Sequence, residues 1–379
     1  MTFTLHVDGN LFREHVGNVI SDFVQVDTTV VPVVKGNGYG FGRKILAQEV
    51  SRTSLSKIAV GSVWELREAL NDFSGSVQVL EPFNPSDQIA LVEWREALRF
   101  GADRILVTIS SANVASLAEL GVRHIYLEGA TSMQRFGLTR QQMIELIADS
   151  HMKSLVRGLS IHLPIAEPTV TGFAVFETTA DINARKSSGW ALEAASWCTT
   201  WTALAKEFGL PAHVSVSHTS REDLAVVRTV APEVHLDIRI GTRLWLGAPK
   251  SLRVTGQVLA IHEMGMGHTA FGYSQGDSHG NKRLLIVSGG TSHGVALAAP
   301  ATTSTMRKRG IAIAEGFSQA LGKVRSPFMF KGKNLVFAEP PHMHVSMLWS
   351  EDSTIAVGDE LECTVRNTTT HFDAITGLS

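Results

Sequence analysis

The sequence points to an α/β chain, a (β/α)8 TIM barrel followed by a mostly β C-terminal domain. Three observations carry this. Eight short apolar segments alternate with helical spacings over about the first 245 residues, and eight units of this size favour closure over an open doubly wound sheet. After Gly247 the texture changes to strands separated by turn residues. Finally, 379 residues exceed one ordinary domain, and a composition of 44% hydrophobic against 18% charged residues is globular. The expected division is a barrel over 10–245 and a β domain over 246–379, joined by an N-terminal strand over 1–9.

The elements follow in order. A β-branched run from Thr28 to Val34 forms the first barrel strand and leads into Lys35, with helical spacing around Ile45, Leu46 and Val50. Ile58 to Gly61 is the second strand. Ser62 and Glu65 have the spacing of a capping box before a helix with Leu66, Leu70 and Phe73 on one face. Val77 to Leu80 is the third strand, and Pro85 to Leu98 a helix. Arg104 to Thr108 is the fourth, with a helix through Val114, Leu117 and Leu120. His124 to Leu127 is the fifth, and a helix begins near Thr139, with Gln142 completing a second capping box. Val156 to His162 is the sixth. Its helix carries Trp190, Ala194, Trp197, Trp201, Leu204 and Phe208 at three-four spacing and stops at Gly209 and Pro211. His213 to Val216 is the seventh, followed by a helix capped by Ser220 and Asp223, and Glu233 to Arg239 is the eighth. Beyond Gly247, Val254–Ile261, Leu284–Val287, Asn334–Ala338 and Glu360–Val365 read as strands, and Gly310–Leu321 as a helix.

Composition excludes several function classes. A net charge of −2 provides no basic excess for nucleic acid or for anionic lipid. Two cysteines, Cys198 and Cys363, make neither a disulfide framework nor a metal-spaced cluster, so a reducing compartment, the cytoplasm, is expected. The first residues lack a basic and then apolar leader, and no apolar run reaches the ~18–20 residues of a membrane helix. No metal site is expected from the spacing of the fifteen histidines.

In a barrel the chemistry sits where strands end. Here those ends carry Lys35 and a glycine-rich turn, Glu128, His162, Ser217-His218-Thr219-Ser220, and Arg239-Ile240-Gly241-Thr242. Lys35 is the most informative. Burial lowers the pKa of a lysine, and a neutral amine can attack a carbonyl. The glycines let another group approach the backbone closely.

The segment Val33 to Gly42 (VVKGNGYGFG) resembles the V-K-A-N-A-Y-G-H-G motif of the alanine racemase family, pyridoxal-phosphate enzymes of fold type III. Met133-Gln134-Arg135-Phe136-Gly137 resembles its M-G-R-L-G, Arg239 to Gly247 its R-P-G-I-x-L-Y-G, and Val357-Gly358-Asp359-Glu360 its V-G-D-E-V. The resemblance covers nearly the whole chain. It implies pyridoxal 5'-phosphate as cofactor, a small amino acid as substrate and a homodimer with shared active sites. Lys35 would hold the cofactor covalently and serve as one of two proton-transfer bases. Tyr39, Thr219, Gly241 and Thr242 would bind its phosphate, in keeping with the rule that barrels bind phosphate after strands seven and eight. His162 would stand beside the pyridine ring and Arg239 at the pyridine nitrogen, with Arg135 near the phenolic oxygen or the substrate carboxylate. Glu128 falls where many members carry a carbamylated lysine, and would replace that anion and orient Arg135.

The substrate half departs from the family. Its second base, a tyrosine, falls on Met266 here, and a thioether transfers no proton. Of the three tyrosines in the chain, Tyr39 is assigned to phosphate and Tyr126 lies within a strand. His268 and Tyr273 are the candidates to take over, and histidine has the better pKa. Residues 301–325 read as an insertion. Amino-acid racemisation is the first reading. A lyase, a decarboxylase or a non-catalytic pyridoxal-phosphate binder are the alternatives.

Overall fold

In a computed structural model of the chain, residues 2–114, 116–168, 187–264, 267–268, 272, 277–278, 283–296 and 324–378 are described. The chain divides into two units. One comprises Glu14–Gly38 and Gly42–Gly247, the other Met1–Arg13, Tyr39–Phe41 and Ala248–Ser379.

The first unit is a barrel. Its strands are β2 (Thr28–Pro32), β3 (Lys57–Val60), β4 (Ser76–Val79), β5 (Ile105–Ile109), β6 (Ile125–Glu128), β7 (Val156–His162), β8 (His213–Ser217) and β9 (His235–Ile240), numbered after β1 (Phe3–Val7) of the other unit. They lie parallel in the order β2-β9-β8-β7-β6-β5-β4-β3. Closure between β2 and β3 rests on a bridge from Val33 to Ala59, with Val34 N–H donating to Ala59 O at 2.7 Å.

The helices cover the outside because each has one apolar face. The longest, Gly189–Phe208, buries Ala194, Cys198 and Trp201 and ends on Gly209 at φ 66, the left-handed stop expected of that glycine. Thr139 and Gln142 form the expected capping box, as do Ser220 and Asp223. Ser62 and Glu65 do not. Ser62 makes no side-chain cap, and the Glu65 carboxylate accepts the Gly36 and Gly61 N–H groups in place of the Ser62 N–H. The helix expected through Val114, Leu117 and Leu120 is short, Ser116–Glu119. Among the described residues no helix is long and apolar enough to cross a membrane.

Alternation along the strands fixes what fills the barrel. Toward the carboxyl end of β2 and β3 the inside is apolar, with Val31, Val33 and Ala59 packed together against Leu80, while Lys57 at the start of β3 reaches Asp237 and Tyr126. On the facing side it is polar. The register pairs Tyr126 with Gly158, Glu128 with Ser160, Ser160 with Ser215 and Ser215 with Asp237, and all but Gly158 are buried polar side chains.

The second unit is an antiparallel sheet with one parallel edge pair. Its order is β13-β16-β15-β14-β17-β10-β1-β18, where β10 is Leu252–Glu263, β13 Arg283–Ser288, β14 Arg325–Phe330, β15 Lys333–Phe337, β16 Val345–Ser350, β17 Glu360–Cys363 and β18 Ala374–Thr376. A separate ribbon pairs β11 (Gly267–His268) with β12 (Asp277–Ser278). Strands β14, β16 and β18 were not anticipated. The helix expected at 310–321, and the insertion at 301–325 apart from its last two residues, lie outside the described residues.

Candidate active site

A cavity of about 420 Å³ opens at the carboxyl ends of the barrel strands, lined by Lys35, Glu65, Glu81, Glu128, Arg135, Phe136, Ser160, His162 and Arg239 among others. Strand β2 delivers Lys35 to it. The turn that follows is held on both sides. Gly36 N–H donates to one Glu65 carboxylate oxygen at 2.7 Å, and Gly61 N–H donates to the other at 2.6 Å. Arg43 Nη1 donates to Gly36 O at 2.6 Å, while its Nε and Nη2 pair with the Glu68 carboxylate. Gly38 stands at φ 62, and a Cβ there would lie 2.6 Å from Arg43 N, so a side chain would push the turn out of this shape. Lys35 opens to the cavity. Its pKa is lowered, first by loss of hydration and then by the charge of Arg135, against a raising pull from Glu65.

Strand β6 ends in Glu128, which is buried with Oε2 lacking a hydrogen bond among the described residues. Burial raises its pKa, opposed by Arg239 and Arg135. The next ten residues loop back on themselves, with Leu138 N–H donating to Glu128 O at 2.7 Å and Ala130 N–H to Leu138 O at 3.0 Å. Gly137 closes the loop at φ 128, where a Cβ would strike Ala130 N at 2.4 Å. Glu193 pins the far side by accepting the Ser132 N–H and O–H, both at 2.6 Å. This loop carries Arg135, which is exposed and lies over the Phe136 ring, its guanidinium 5.2 Å from the centroid. Glu128 and Arg135 share the cavity, and no ion pair joins them in this structure.

Strands β7 to β9 supply the remaining groups. His162 Nδ1 lies 2.8 Å from Ser217 Oγ. Burial, with the charges of Arg239 and Arg135 added, pushes its pKa down to about 3, so its ring is neutral at physiological pH. His218 packs against it, with ring centroids 4.9 Å apart. Arg239 is held rigidly. Nη1 donates to Ser160 Oγ, Ser215 O and Ser215 Oγ at 2.8 to 2.9 Å, and Nη2 donates to Ile161 O at 2.7 Å. Its Nε–H has no partner among the described residues, nor has the buried hydroxyl of Thr219. Burial lowers the Arg239 pKa to about 10, so it remains a cation at neutral pH. Gly241 caps the short helix Thr242–Leu246, to whose Leu244 and Trp245 N–H groups its carbonyl accepts at 3.0 Å.

The barrel thus gathers Lys35, Glu128, Arg135, His162 and Arg239 around one cavity and sets Thr219, Gly241 and Thr242 just past the ends of β8 and β9. Tyr39 is buried in the other unit. His268 lies in the ribbon strand Gly267–His268 and its side chain is outside what is described, as are Met266, Tyr273 and His279 altogether. Glu65 and Glu193 were missed as site residues. Glu65 was masked by its capping-box spacing. Glu193 carried a signal, since an acid three residues after Trp190 and one before Ala194 falls on the apolar face of its helix.

Among protein families, the alanine racemase N-terminal domain matches residues 12–222. No curated protein sequence matches. Solved structures match over nearly the whole length. An alanine racemase from Clostridium difficile 630 is 15% identical with a TM-score of 0.64, covering 96% of this chain and 87% of that one. One from E. faecalis is 18% identical with a TM-score of 0.62, covering 96% and 88%. One from Bartonella henselae, with covalently bound pyridoxal phosphate, is 15% identical with a TM-score of 0.61, covering 98% of each chain. At such identities the likeness is one of fold, and the family match extends it to sequence: the chain belongs to the alanine racemase N-terminal domain family.

Proposed function

We propose that this chain binds pyridoxal 5'-phosphate through Lys35 and interconverts the L and D forms of a small amino acid. The observation that carries the reading is the lysine itself. It ends an apolar strand at a cavity, its proton affinity is lowered by dehydration and Arg135, and a rigid arginine with an unspent Nε–H stands on the same cavity. The other unspent donor, the buried Thr219 hydroxyl, fits a phosphate acceptor. When bound, the cofactor withdraws electrons from the α-carbon of the amino acid attached to it.

The chain's own residues divide the rest. Arg239 would hold the pyridine nitrogen of the group through its unspent Nε–H and, as a guanidinium that keeps its proton, would leave it a weaker electron sink, which favours racemisation over transamination. His162, a neutral imidazole on the same cavity, would stand beside the cofactor ring. Gly241 and Thr242 would contribute further phosphate contacts, and Tyr39 is the family's phosphate tyrosine by its place in the motif. Lys35 Nζ moves the α-proton on one face, and His268 is the candidate for the other face. Arg135 takes the substrate carboxylate, with Glu128 as the buried anion behind it. The working form is a homodimer in which the partner completes each site.

The test is spectroscopic first. Incubation with pyridoxal phosphate should give an absorbance band near the visible edge that borohydride removes and that Lys35→Ala abolishes. L- or D-alanine in deuterium oxide should then exchange its α-hydrogen with inversion. A protein that forms no such band would sink the cofactor reading. Exchange without inversion would leave Lys35 as a lone base and end the racemase reading.

A further inference from the structure

A second cluster of ionisable groups lies at the opposite end of the barrel, where strands begin. His213 is the first residue of β8, His235 the first of β9, and their Cα atoms are register partners. Asp237 lies two residues further along β9, so strand alternation turns it to the same inward face. Their ring centroids are 4.9 Å apart, and one nitrogen from each histidine and a carboxylate oxygen of Asp237 all lie within 4.8 Å of one another.

Each group is already oriented. His213 Nδ1 is engaged by the Tyr126 hydroxyl at 3.2 Å. Lys57 Nζ holds Asp237 Oδ2 at 2.6 Å and the Tyr126 hydroxyl at 3.2 Å. Asp237 Oδ1 faces His235 Nε2 at 3.9 Å. His213 Nε2 stands 2.9 Å from Asp237 Oδ2, yet it is buried and lacks a hydrogen bond of acceptable angle. It is therefore a solvent-shielded imidazole nitrogen directed at a carboxylate oxygen that Lys57 already engages.

We propose that His213 Nε2, His235 Nε2 and Asp237 Oδ1 form a site for one first-row divalent cation, of which zinc suits two imidazoles and a carboxylate best. Metal–ligand bonds of about 2.0–2.1 Å place tetrahedral ligand atoms about 3.3 Å apart; Asp237 Oδ1 and His235 Nε2 are 3.9 Å apart, and the ligand atoms of all three residues lie within 4.8 Å of one another, so a modest contraction closes the site. The contraction would fall on His235, whose side chain is 64% exposed. Tyr126 on the far nitrogen of His213 and Lys57 on the far oxygen of Asp237 supply the outer contacts that fix ligand orientation. The sequence hides this site because its ligands sit 22 and 2 residues apart and meet only through strand register. A bound ion would join β8 to β9 at the barrel's amino end, away from the Lys35 cavity.

The experiment uses tag-free full-length protein and Zn²⁺ as the probe. Calorimetric titration should give one ion per chain, and Zn²⁺ should raise the melting temperature. His235→Ala, at an exposed position that the fold does not depend on, and His213→Ala should each weaken binding at least tenfold and remove the melting shift. Co²⁺ should give the intense visible bands of a four-coordinate site in the parent and not in His235→Ala. Absence of binding, or binding unchanged in both variants, would overturn the site, whatever the outcome at Lys35.

Discussion

Opposing forces act on Glu128. Two arginines favour its charged form, burial disfavours it, and burial wins. The consequence for stability has a definite sign. An unfolded glutamate releases its proton near pH ~4.3, whereas the folded one holds it to higher pH. Between those points the native state binds more protons, so stability falls as pH rises. Glu128→Gln removes this dependence. Urea melts of the cofactor-free protein should show the variant gaining on the parent between pH 4 and pH 7. A difference that stays constant, or moves the other way, would mean that Arg135 and Arg239 outweigh burial. That outcome would suit a fully ionised carbamate substitute better than a half-balanced one.

The β2 and β3 turns, not single side chains, set the position of Lys35. Glu65 spends both oxygens on backbone N–H groups of the two turns, so neither turn can shift alone. Glu65→Gln keeps one acceptor and sets an amide against the other N–H, which should cost about 1–3 kcal/mol. A purely structural part would end there. Glu65 also raises the Lys35 pKa by its charge. The variant should therefore attach pyridoxal phosphate with a pH profile displaced to lower pH, read from the borohydride-sensitive band. An unmoved profile would reduce Glu65 to a brace. This is also where sequence reading reaches its limit. Strand Val156–His162 is legible residue for residue because apolar Val156, Leu159 and Ile161 lie among residues that break any helical spacing. The Ser62–Glu65 spacing looked like a cap because the alternative partners, Gly36 and Gly61, are brought near only by barrel closure. In the second unit, β16 and β18 lack a long β-branched run, and Pro327 interrupts β14, so propensity alone did not mark them.

Taken as a whole, the chain does not build its two units from two consecutive halves. The first strand, Phe3–Val7, runs antiparallel to β10 and parallel to β18, so residues at the start of the chain lie between strands some 250 and 370 positions later. The unit cannot close its sheet until the barrel segment has been synthesised, and loop-closure entropy must be overcome before those contacts form. Phe3 secures the arrangement. It is wholly buried, stacks on Phe372 at 5.7 Å, meets Phe328 edge-on at 6.3 Å and lies 5.3 Å from the His293 ring. Gly289 at φ 107 leaves the space it needs, since a Cβ there would come within 2.7 Å of the Phe3 ring. Phe3→Ala should cost about 3–5 kcal/mol, the usual loss for an emptied aromatic site. Phe3→Leu, which restores most of the volume, should cost less than half of that. Equilibrium urea unfolding of the full chain measures both. A loss under about 1 kcal/mol for the alanine variant would show that β1 is an appendage to a sheet that β10 and β17 already hold together.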